Sequence, residues 1–283
     1  MTISTTMVVG AGQMGGGIAQ VCAAAGRKVY LNDVTMDILN KRLAFIESLL
    51  TKDVAKERIT EEQKAATMAN LIPVTDLDAG AECDLVVEAI VENMDAKAST
   101  FTRLDRICPE SAILASNTSS LPITEIAAFT SRPEQVIGMH FMNPVPVMKL
   151  VEMIRGLATS EQTTEIIRQE AIDLGKTPVL VRDVPGFVSN RVLQMLINEA
   201  IFCVSEGVAS IEDIDTVMTL GMNHPMGPLR LADFIGLDTE LSILEVMFEG
   251  YGDPKYRPCP LLRQYVKAGW LGKKSGRGFY TYN

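Results

Sequence analysis

The 283-residue sequence is poor in histidine, cysteine and positive charge. It has two histidines, five cysteines, and 26 basic residues against 35 acidic ones, which gives a formal net charge of −9. Binding to nucleic acid requires a basic surface, so this charge balance argues against a nucleic-acid partner. Catalytic zinc needs about three converging ligands, and two histidines with scattered cysteines do not supply them. We therefore predict no metal site.

The cysteines are odd in number, and none forms a Cys-x-x-Cys pair. They are Cys22, Cys83, Cys108, Cys203 and Cys259. This pattern is typical of buried free thiols in a reducing compartment. No apolar run approaches the roughly 20 residues that a membrane span needs, and the first residues lack the basic stretch of a signal peptide. We predict a cytoplasmic protein with no membrane partner.

Short apolar segments alternate with helical patterns along the first part of the chain. The predicted strands are 7–9, 28–31, 71–74, 84–90, 112–116, 135–141, 147–153 and 177–181. Strands that are apolar throughout are typical of a parallel sheet with helices on both faces. After Val184 the periodicity is only helical. We therefore predict an α/β Rossmann-type doubly wound domain over residues 1–184, followed by a smaller all-α domain over residues 185–283.

The first predicted strand leads into the motif Gly10-Ala11-Gly12-Gln13-Met14-Gly15, which opens a helix. Gly10 permits a tight turn, Gly12 lets the backbone approach a pyrophosphate, and Gly15 allows the helix to pack closely on the strand. The helix N-terminus offers N–H groups to the phosphates. We predict a dinucleotide site with contacts at Gly10, Gly12, Gln13, Met14 and Gly15.

Asp33 ends the second predicted strand. A carboxylate there can accept hydrogen bonds from the adenosine ribose and would repel a 2′-phosphate, so the pattern favours NAD over NADP. FAD, which has a similar fingerprint, is an alternative, but no second segment is suited to a flavin ring. A glycine-rich turn without a ligand is the other interpretation.

His140 ends a predicted strand, and Glu152 lies on the apolar segment that follows. In an open α/β sheet, ligands bind beyond the carboxyl ends of the strands. A carboxylate in an apolar run needs a partner, and His140 is the obvious candidate. Such a pair suits alcohol oxidation, in which imidazole takes the hydroxyl proton and the carboxylate orients it. From spacing alone, a purely structural histidine–glutamate pair is an equal alternative.

Two further polar sites have open interpretations. The run Ser116-Asn117-Thr118-Ser119-Ser120 follows a strand end, where it would hold a substrate oxygen or the nicotinamide amide, or cap a helix. Asn190 lies in the first helix of the second domain, where it would either face the cleft or lie at the surface, and its residue type alone favours the surface.

Together these motifs resemble the short-chain L-3-hydroxyacyl-CoA dehydrogenases, most closely the bacterial 3-hydroxybutyryl-CoA dehydrogenases. The resemblance runs from the glycine motif to the C-terminus. Besides that motif, it rests on Glu-Ala-Ile-Val-Glu-Asn at 88–93, Ser-Asn-Thr-Ser-Ser at 116–120, Gly-Met-His-Phe-Met-Asn-Pro-Val-Pro at 138–146, Leu-Val-Glu at 150–152, Asp-Val-Pro-Gly-Phe-Val-Ser-Asn-Arg at 183–191, Asn-His-Pro-Met-Gly-Pro at 223–228 and Gly-Lys-Lys-Ser-Gly-Arg-Gly-Phe-Tyr at 272–280.

The resemblance implies an NAD-dependent oxidoreductase of fatty acid and butyrate metabolism that interconverts (S)-3-hydroxybutyryl-CoA and acetoacetyl-CoA. It implies His140 as the general acid/base and Glu152 as its partner. It implies that Ser119 and Asn190 hold the C3 oxygen of the substrate. It also implies Glu92 and Lys97 as cofactor contacts in addition to Asp33, and Asn143 as a cofactor contact close to the nicotinamide.

An acyl-CoA substrate brings phosphates that need cationic partners. Lys52, Lys56 and Arg58 cluster near the end of the long helix after Asp33, although a solvated charged face is an equal interpretation. The resemblance further implies a stand-alone enzyme and a homodimer formed through the helical domain, which would also contribute to the substrate cleft. His224 lies in a proline-flanked loop and is predicted to be structural. The alternatives are a dehydrogenase of a free hydroxy acid or sugar acid, and a non-catalytic NAD-binding protein like some lens crystallins.

Overall fold

A computed structural model describes residues 2–282 of the chain. The chain forms two compact units, Met1–Asp183 and Val184–Asn283, which we call the N-terminal and C-terminal units. Neither unit contains, within the described residues, a helix long and apolar enough to cross a bilayer.

The N-terminal unit is built on one eight-stranded sheet. Its strands are β1 (Thr5–Val9), β2 (Lys28–Asn32), β3 (Leu71–Val74), β4 (Leu85–Glu88), β5 (Ile113–Ser116), β6 (Val136–Phe141), β7 (Leu150–Arg155) and β8 (Thr177–Arg182). Its helices are α1 (Gln13–Ala24), α2 (Met36–Ala55), α3 (Glu61–Ala69), α4 (Met94–Ile107), α5 (Ile123–Ala127) and α6 (Glu161–Asp173). The strand order is β3-β2-β1-β4-β5-β6-β7-β8, so the chain winds outward from β1 in both directions, as a doubly wound fold requires.

The burial of the central strands explains why their sequences are apolar throughout. Every residue of β4, β5 and β6 is buried, because helices cover both faces of the sheet. Parallel strands of this kind bury both of their faces, so they lose the alternation of polar and apolar residues. The predicted Rossmann-type fold class is therefore confirmed.

The predicted all-parallel sheet is wrong at one position. Strand β7 runs antiparallel to β6, and it begins at Leu150 rather than at Val147. Only residues 142–149 connect the two strands. A connection between parallel strands has to carry the chain back to the other end of the sheet, which takes about a dozen residues or more. This connection is too short for that, so β7 runs antiparallel to β6. Val147 is exposed and lies in a turn before the strand starts.

The C-terminal unit is helical. Its helices are α7 (Ser189–Ser205), α8 (Ile211–Thr216), α9 (Pro228–Ile235), α10 (Leu237–Tyr251) and α11 (Pro260–Lys267). Its core contains Ile197, Leu229, Leu237, Leu244 and Leu262. The helical stretch that begins at Ile211 continues beyond α8 as a π-helical turn at Val217–Gly221. Helices α9 and α10 are separated at Gly236, whose φ of 109° lies outside the helical region.

The cysteines behave as the sequence predicts. All five are free thiols, and all but Cys203 are buried. Burial raises the pKa of Cys22 to about 12, so this thiol stays protonated and unreactive at neutral pH.

A buried carboxyl group is the least expected feature of the C-terminal unit. Glu240 on α10 is fully buried, and neither of its carboxyl oxygens makes a hydrogen bond of normal geometry within residues 2–282. Burial raises the pKa of Glu240 to about 8, and the nearby Gln194 offsets only part of this effect. Glu240 is therefore neutral in the folded protein at neutral pH.

We expect Glu240→Gln to stabilise the protein increasingly as the pH rises from 4.5 to about 8. In this window the unfolded carboxyl group is ionised while the folded one keeps its proton, so the wild-type free energy of unfolding falls by about 1.4 kcal/mol per pH unit from this group. The measurement is urea unfolding at several pH values, followed by the fluorescence of Trp270, the single tryptophan, which lies in the same unit.

Glu249→Gln is the matched control, because Glu249 is an exposed carboxylate on the same helix. It should leave the pH dependence of the wild type unchanged. If Glu240→Gln also leaves that dependence unchanged, Glu240 is ionised in the folded state and the proposed effect of its burial is wrong.

Candidate active site

The antiparallel pairing of β6 with β7 brings two predicted residues together. The register places His140 directly opposite Glu152, so both side chains point to the same face of the sheet. Nδ1 of His140 lies 2.8 Å from Oε2 of Glu152, and both residues are buried. Because a carboxylate accepts a hydrogen bond from Nδ1–H, any proton exchange with a substrate has to use Nε2 of the imidazole.

The glycine motif forms the turn between β1 and α1. A Cβ added to Gly15 would lie 1.8 Å from the carbonyl oxygen of Gly10, so only glycine allows the helix to approach the strand this closely. A Cβ added to Gly12 would meet nothing within 4 Å, because this backbone borders open space. A cavity of about 700 Å³ lies there, lined among others by Gly10, Gly12, Gln13, Met14 and Asp33.

Asp33 is fixed at the edge of this cavity by two backbone hydrogen bonds. Its Oδ2 accepts from the N–H of Ala11 at 2.7 Å, and its Oδ1 accepts from the N–H of Val34 at 2.7 Å. A carboxylate keeps further lone pairs on both oxygens, so it can still accept hydrogen bonds from ribose hydroxyls. The groups around the cavity therefore fit NAD: open backbone at Gly12, a helix N-terminus, and an anion at the ribose end.

Glu92 organises the polar loop that follows β5. Its Oε1 accepts hydrogen bonds from the hydroxyl of Thr118 at 2.5 Å and from the backbone N–H groups of Ser119 at 2.9 Å and Ser120 at 3.1 Å. The same oxygen lies 3.3 Å from Oγ of Ser119. The predicted substrate ligand Ser119 and the predicted cofactor contact Glu92 thus belong to one hydrogen-bonded group.

Lys97 lies beneath this group, with only 1% of its side chain exposed. Its ammonium is 2.7 Å from Oε1 of Glu88 and 3.3 Å from Oε2 of Glu92. Burial raises the pKa of Glu92, but the charge of Lys97 and the hydrogen bonds from the loop outweigh it, so the net pKa is lowered. The contacts of Lys97 support a role in holding Glu92, and its direct contact with the cofactor stays a prediction.

Asn143 lies in the loop between β6 and β7, at a cis peptide bond with Pro144. Its Oδ1 accepts a hydrogen bond of 3.0 Å from Nε2 of Gln13, the first residue of α1. The β6–β7 loop is thereby joined to the glycine motif. Asn143 and Gln13 also border a second cavity of about 770 Å³, whose other wall is formed by α2.

The basic cluster predicted from sequence separates into two kinds of residue. Arg58 forms an ion pair with Asp53 at 3.1 Å. Lys52 and Lys56 are exposed at the end of α2, and neither makes a salt bridge within the described residues.

Asn190 belongs to the C-terminal unit, where it is the second residue of α7, and its predicted substrate contact stays a prediction.

Two positioning residues were not predicted. Glu88 is completely buried at the end of β4, where it also accepts a hydrogen bond of 2.6 Å from the hydroxyl of Ser116. Asn117 accepts a hydrogen bond of 2.9 Å from the N–H of Phe141, which ties the end of β5 to the end of β6. A carboxylate in an apolar strand signals a buried partner, so Glu88 could have been predicted on the same ground as Glu152.

Residues 5–184 match the family model of the 3-hydroxyacyl-CoA dehydrogenase NAD binding domain, and residues 186–282 match the model of the C-terminal domain of the same family. The chain belongs to the 3-hydroxyacyl-CoA dehydrogenase family. The resemblance inferred from its sequence motifs is thereby confirmed, and so is NAD as the cofactor of the first matched domain.

Similar proteins cover the chain almost completely. A probable 3-hydroxybutyryl-CoA dehydrogenase of Bacillus subtilis is 62% identical over 282 residues, which is 100% of this chain and 98% of that protein. The mitochondrial hydroxyacyl-coenzyme A dehydrogenase of Homo sapiens is 47% identical, covering 97% of this chain and 90% of that protein. The crystal structure of (S)-3-hydroxybutyryl-CoA dehydrogenase from Ralstonia eutropha has a TM-score of 0.98 at 49% identity, with 100% of both chains covered.

We expect the wild-type protein to bind NADH more tightly than NADPH, and Asp33→Ala to reduce this preference by roughly 10-fold or more. The variant loses charge-assisted hydrogen bonds, each worth about 1.5–3 kcal/mol, and the repulsion of a 2′-phosphate. The measurement is the dissociation constant of each nucleotide, obtained from nicotinamide fluorescence. Asp37→Ala is the control, because Asp37 is an exposed carboxylate on α2 that pairs with Lys41. Equal affinity of the wild type for both nucleotides would contradict the role of Asp33.

Proposed function

We propose that this protein is an NAD-dependent dehydrogenase that interconverts (S)-3-hydroxybutyryl-CoA and acetoacetyl-CoA. The observation that carries the proposal is the buried hydrogen bond between His140 and Glu152 at the end of two paired strands, in a chain of this family. The names of its similar proteins supply the substrate class, and the arrangement of acid/base group, polar loop and dinucleotide cavity supplies the chemistry.

In the oxidising direction, His140 takes the proton from the C3 hydroxyl as the C3–H bond breaks. NAD, which Gly12 and Asp33 would hold in the dinucleotide cavity, would supply the acceptor for the hydride from C3, so that the alcohol is oxidised to a ketone. Glu152 accepts the hydrogen bond from Nδ1–H and stabilises the imidazolium that results. In the reducing direction, His140 returns the proton to the ketone oxygen.

Ser119 is proposed to hold the C3 oxygen during this transfer, together with Asn190. A hydroxyl can donate to the developing oxyanion only if its backbone is held at a defined place. Glu92 supports this requirement by accepting hydrogen bonds from three residues of the Ser119 loop, and Lys97 holds Glu92 from below.

The exposed face of α2 supports an acyl-CoA substrate over a free hydroxy acid. Lys41, Phe45 and Leu49 line the cavity of about 770 Å³ and are spaced by one helical turn. Lys52 and Lys56 continue this spacing, so they extend the same face beyond the cavity. We propose that the pantetheine arm lies along this groove and that its phosphates meet Lys52 and Lys56. A free hydroxy acid has nothing to place there.

We expect His140→Ala to lower the turnover of acetoacetyl-CoA by about 10²–10⁴, the usual contribution of a general acid/base. Glu152→Gln should cause a smaller loss, because the amide can still accept a hydrogen bond but carries no charge. The assay follows NADH absorbance, with NADH affinity measured in parallel to show that the cofactor site is intact.

The second histidine provides the matched control, since His224→Ala should keep wild-type turnover. Free acetoacetate should react poorly with the wild type. Rapid turnover of free acetoacetate would instead favour a hydroxy-acid dehydrogenase. NADH binding with no turnover of either compound would favour a non-catalytic NAD-binding protein.

We expect the double variant Lys52→Gln/Lys56→Gln to raise the KM for acetoacetyl-CoA by about 10-fold, since two charged contacts to phosphate are removed. The KM for acetoacetyl-pantetheine, which lacks the nucleotide, should not change. Arg58→Gln is the control, because that guanidinium pairs with Asp53. An equal rise in KM for both thioesters would show that the lysines do not meet the phosphates.

We also propose that the C-terminal unit forms a homodimer. It exposes large apolar side chains that a monomer would leave in water, among them Val192, Val217, Leu220, Met222 and Phe234. Leu220→Glu should weaken the dimer in analytical ultracentrifugation, whereas Leu157→Glu, at an equally exposed leucine of the N-terminal unit, should not. A monomeric wild type would refute the proposal.

The free thiols support a location in a reducing compartment such as the cytoplasm.

A further inference from the structure

We propose that Lys176 is a positioning residue for the nicotinamide end of the cofactor site, acting through the loop of residues 142–149 that carries Asn143. The inference rests on the proposed function, because it needs Asn143 to lie beside the nicotinamide. It concerns a residue on the far side of the loop from the glycine motif, with no contact to the dinucleotide cavity itself.

Lys176 lies between the end of α6 and the start of β8, and only 9% of the residue is exposed. Its ammonium donates two hydrogen bonds, at 2.5 Å to the carbonyl oxygen of Val145 and at 2.8 Å to that of Met148. Both carbonyl groups belong to the β6–β7 loop. A single side chain therefore ties together two points of a segment that has no strand or helix of its own.

The ammonium of Lys176 is paired with backbone carbonyl groups and not with a carboxylate. Burial lowers the pKa of Lys176, and within residues 2–282 no carboxylate forms a salt bridge with it. Charge-assisted hydrogen bonds to carbonyl groups are strong, and an ammonium that loses them in a buried place is costly. The two loop carbonyl groups are therefore the main polar partners of this ammonium, and the loop geometry is coupled to it.

The other side of the loop is held by α1. Val145 is buried in the core, and a Cβ added to Gly17 would lie 2.9 Å from Cβ of Val145. Asn143 accepts the hydrogen bond from Gln13 at the start of the same helix. The loop is thus clamped between α1 and Lys176. Removing the ammonium leaves the contacts with α1, the turn hydrogen bonds at Pro144 and the bond from the N–H of Thr177 to Lys149. We infer that the loop, and Asn143 with it, is then held less tightly, while the glycine motif and Asp33 stay unchanged.

The test compares NADH with ADP-ribose, which occupies the adenosine and pyrophosphate positions but has no nicotinamide. We expect Lys176→Met, which keeps the length of the side chain and removes its donors, to weaken NADH binding by about 10-fold, the effect of losing roughly one charge-assisted hydrogen bond. ADP-ribose affinity should not change. Lys176→Arg, which keeps a cationic donor, should restore most of the NADH affinity.

Lys64→Met is the control, since Lys64 is a partly buried lysine that pairs with Glu61 away from the loop. If Lys176→Met does not fold, Lys176→Gln gives the same comparison with one neutral donor retained. Equal weakening of NADH and ADP-ribose, or no weakening of either, would overturn the proposal. Because the readout is equilibrium binding, failure of the proposed acyl-CoA turnover would not affect it.

Discussion

The candidate site depends on the reversal of chain direction between β6 and β7. In an all-parallel sheet, a long crossover would have to connect β6 to the next strand. A residue only twelve positions after His140 would then lie in that crossover and not on the neighbouring strand. The short antiparallel return instead places Glu152 directly across from His140, where the strand pairing itself sets their separation. A buried imidazole and a buried carboxylate then offset each other's desolvation cost through one hydrogen bond. The His140–Glu152 pair is thus held by backbone pairing and not by flexible loops.

Around this pair, buried charges support exposed polar groups. Lys97 is shared by Glu88 below and by Glu92 above, so the carboxylate of Glu92 is held where it can accept hydrogen bonds from the Ser119 loop. Lys176 acts similarly on the loop of Asn143, with carbonyl groups in place of carboxylates. In both cases a buried ammonium makes hydrogen bonds or ion pairs that hold an irregular segment, and at the Ser119 loop such preorganisation is what the proposed stabilisation of a developing charge requires.

The helix α2 connects the cofactor half of the site to the proposed CoA half. One of its faces borders the cavity beside Asn143, and the same face carries Lys52 and Lys56 further along. The periodicity of a helix makes this possible, since residues three or four apart share a face over its whole length. The acidic net charge of the chain is compatible with an anionic substrate, because the recognition proposed above needs only a local pair of lysines.

The sequence alone determined the features that depend on local order along the chain. The glycine motif, the acid at Asp33, the apolar strands and the change to helical periodicity near Val184 could all be predicted, because each is a pattern between neighbours in sequence. Only the tertiary structure decided what depends on which distant groups meet. It showed the direction of β7, the pairing of Arg58 with Asp53 that separates it from Lys52 and Lys56, and the burial of Glu240. The pairing of Arg58 and the burial of Glu240 depend on which groups meet in the folded chain, which the spacing of residue types does not encode. The direction of β7 follows from the short connection after β6, a signal that the sequence already held but that only the structure made decisive.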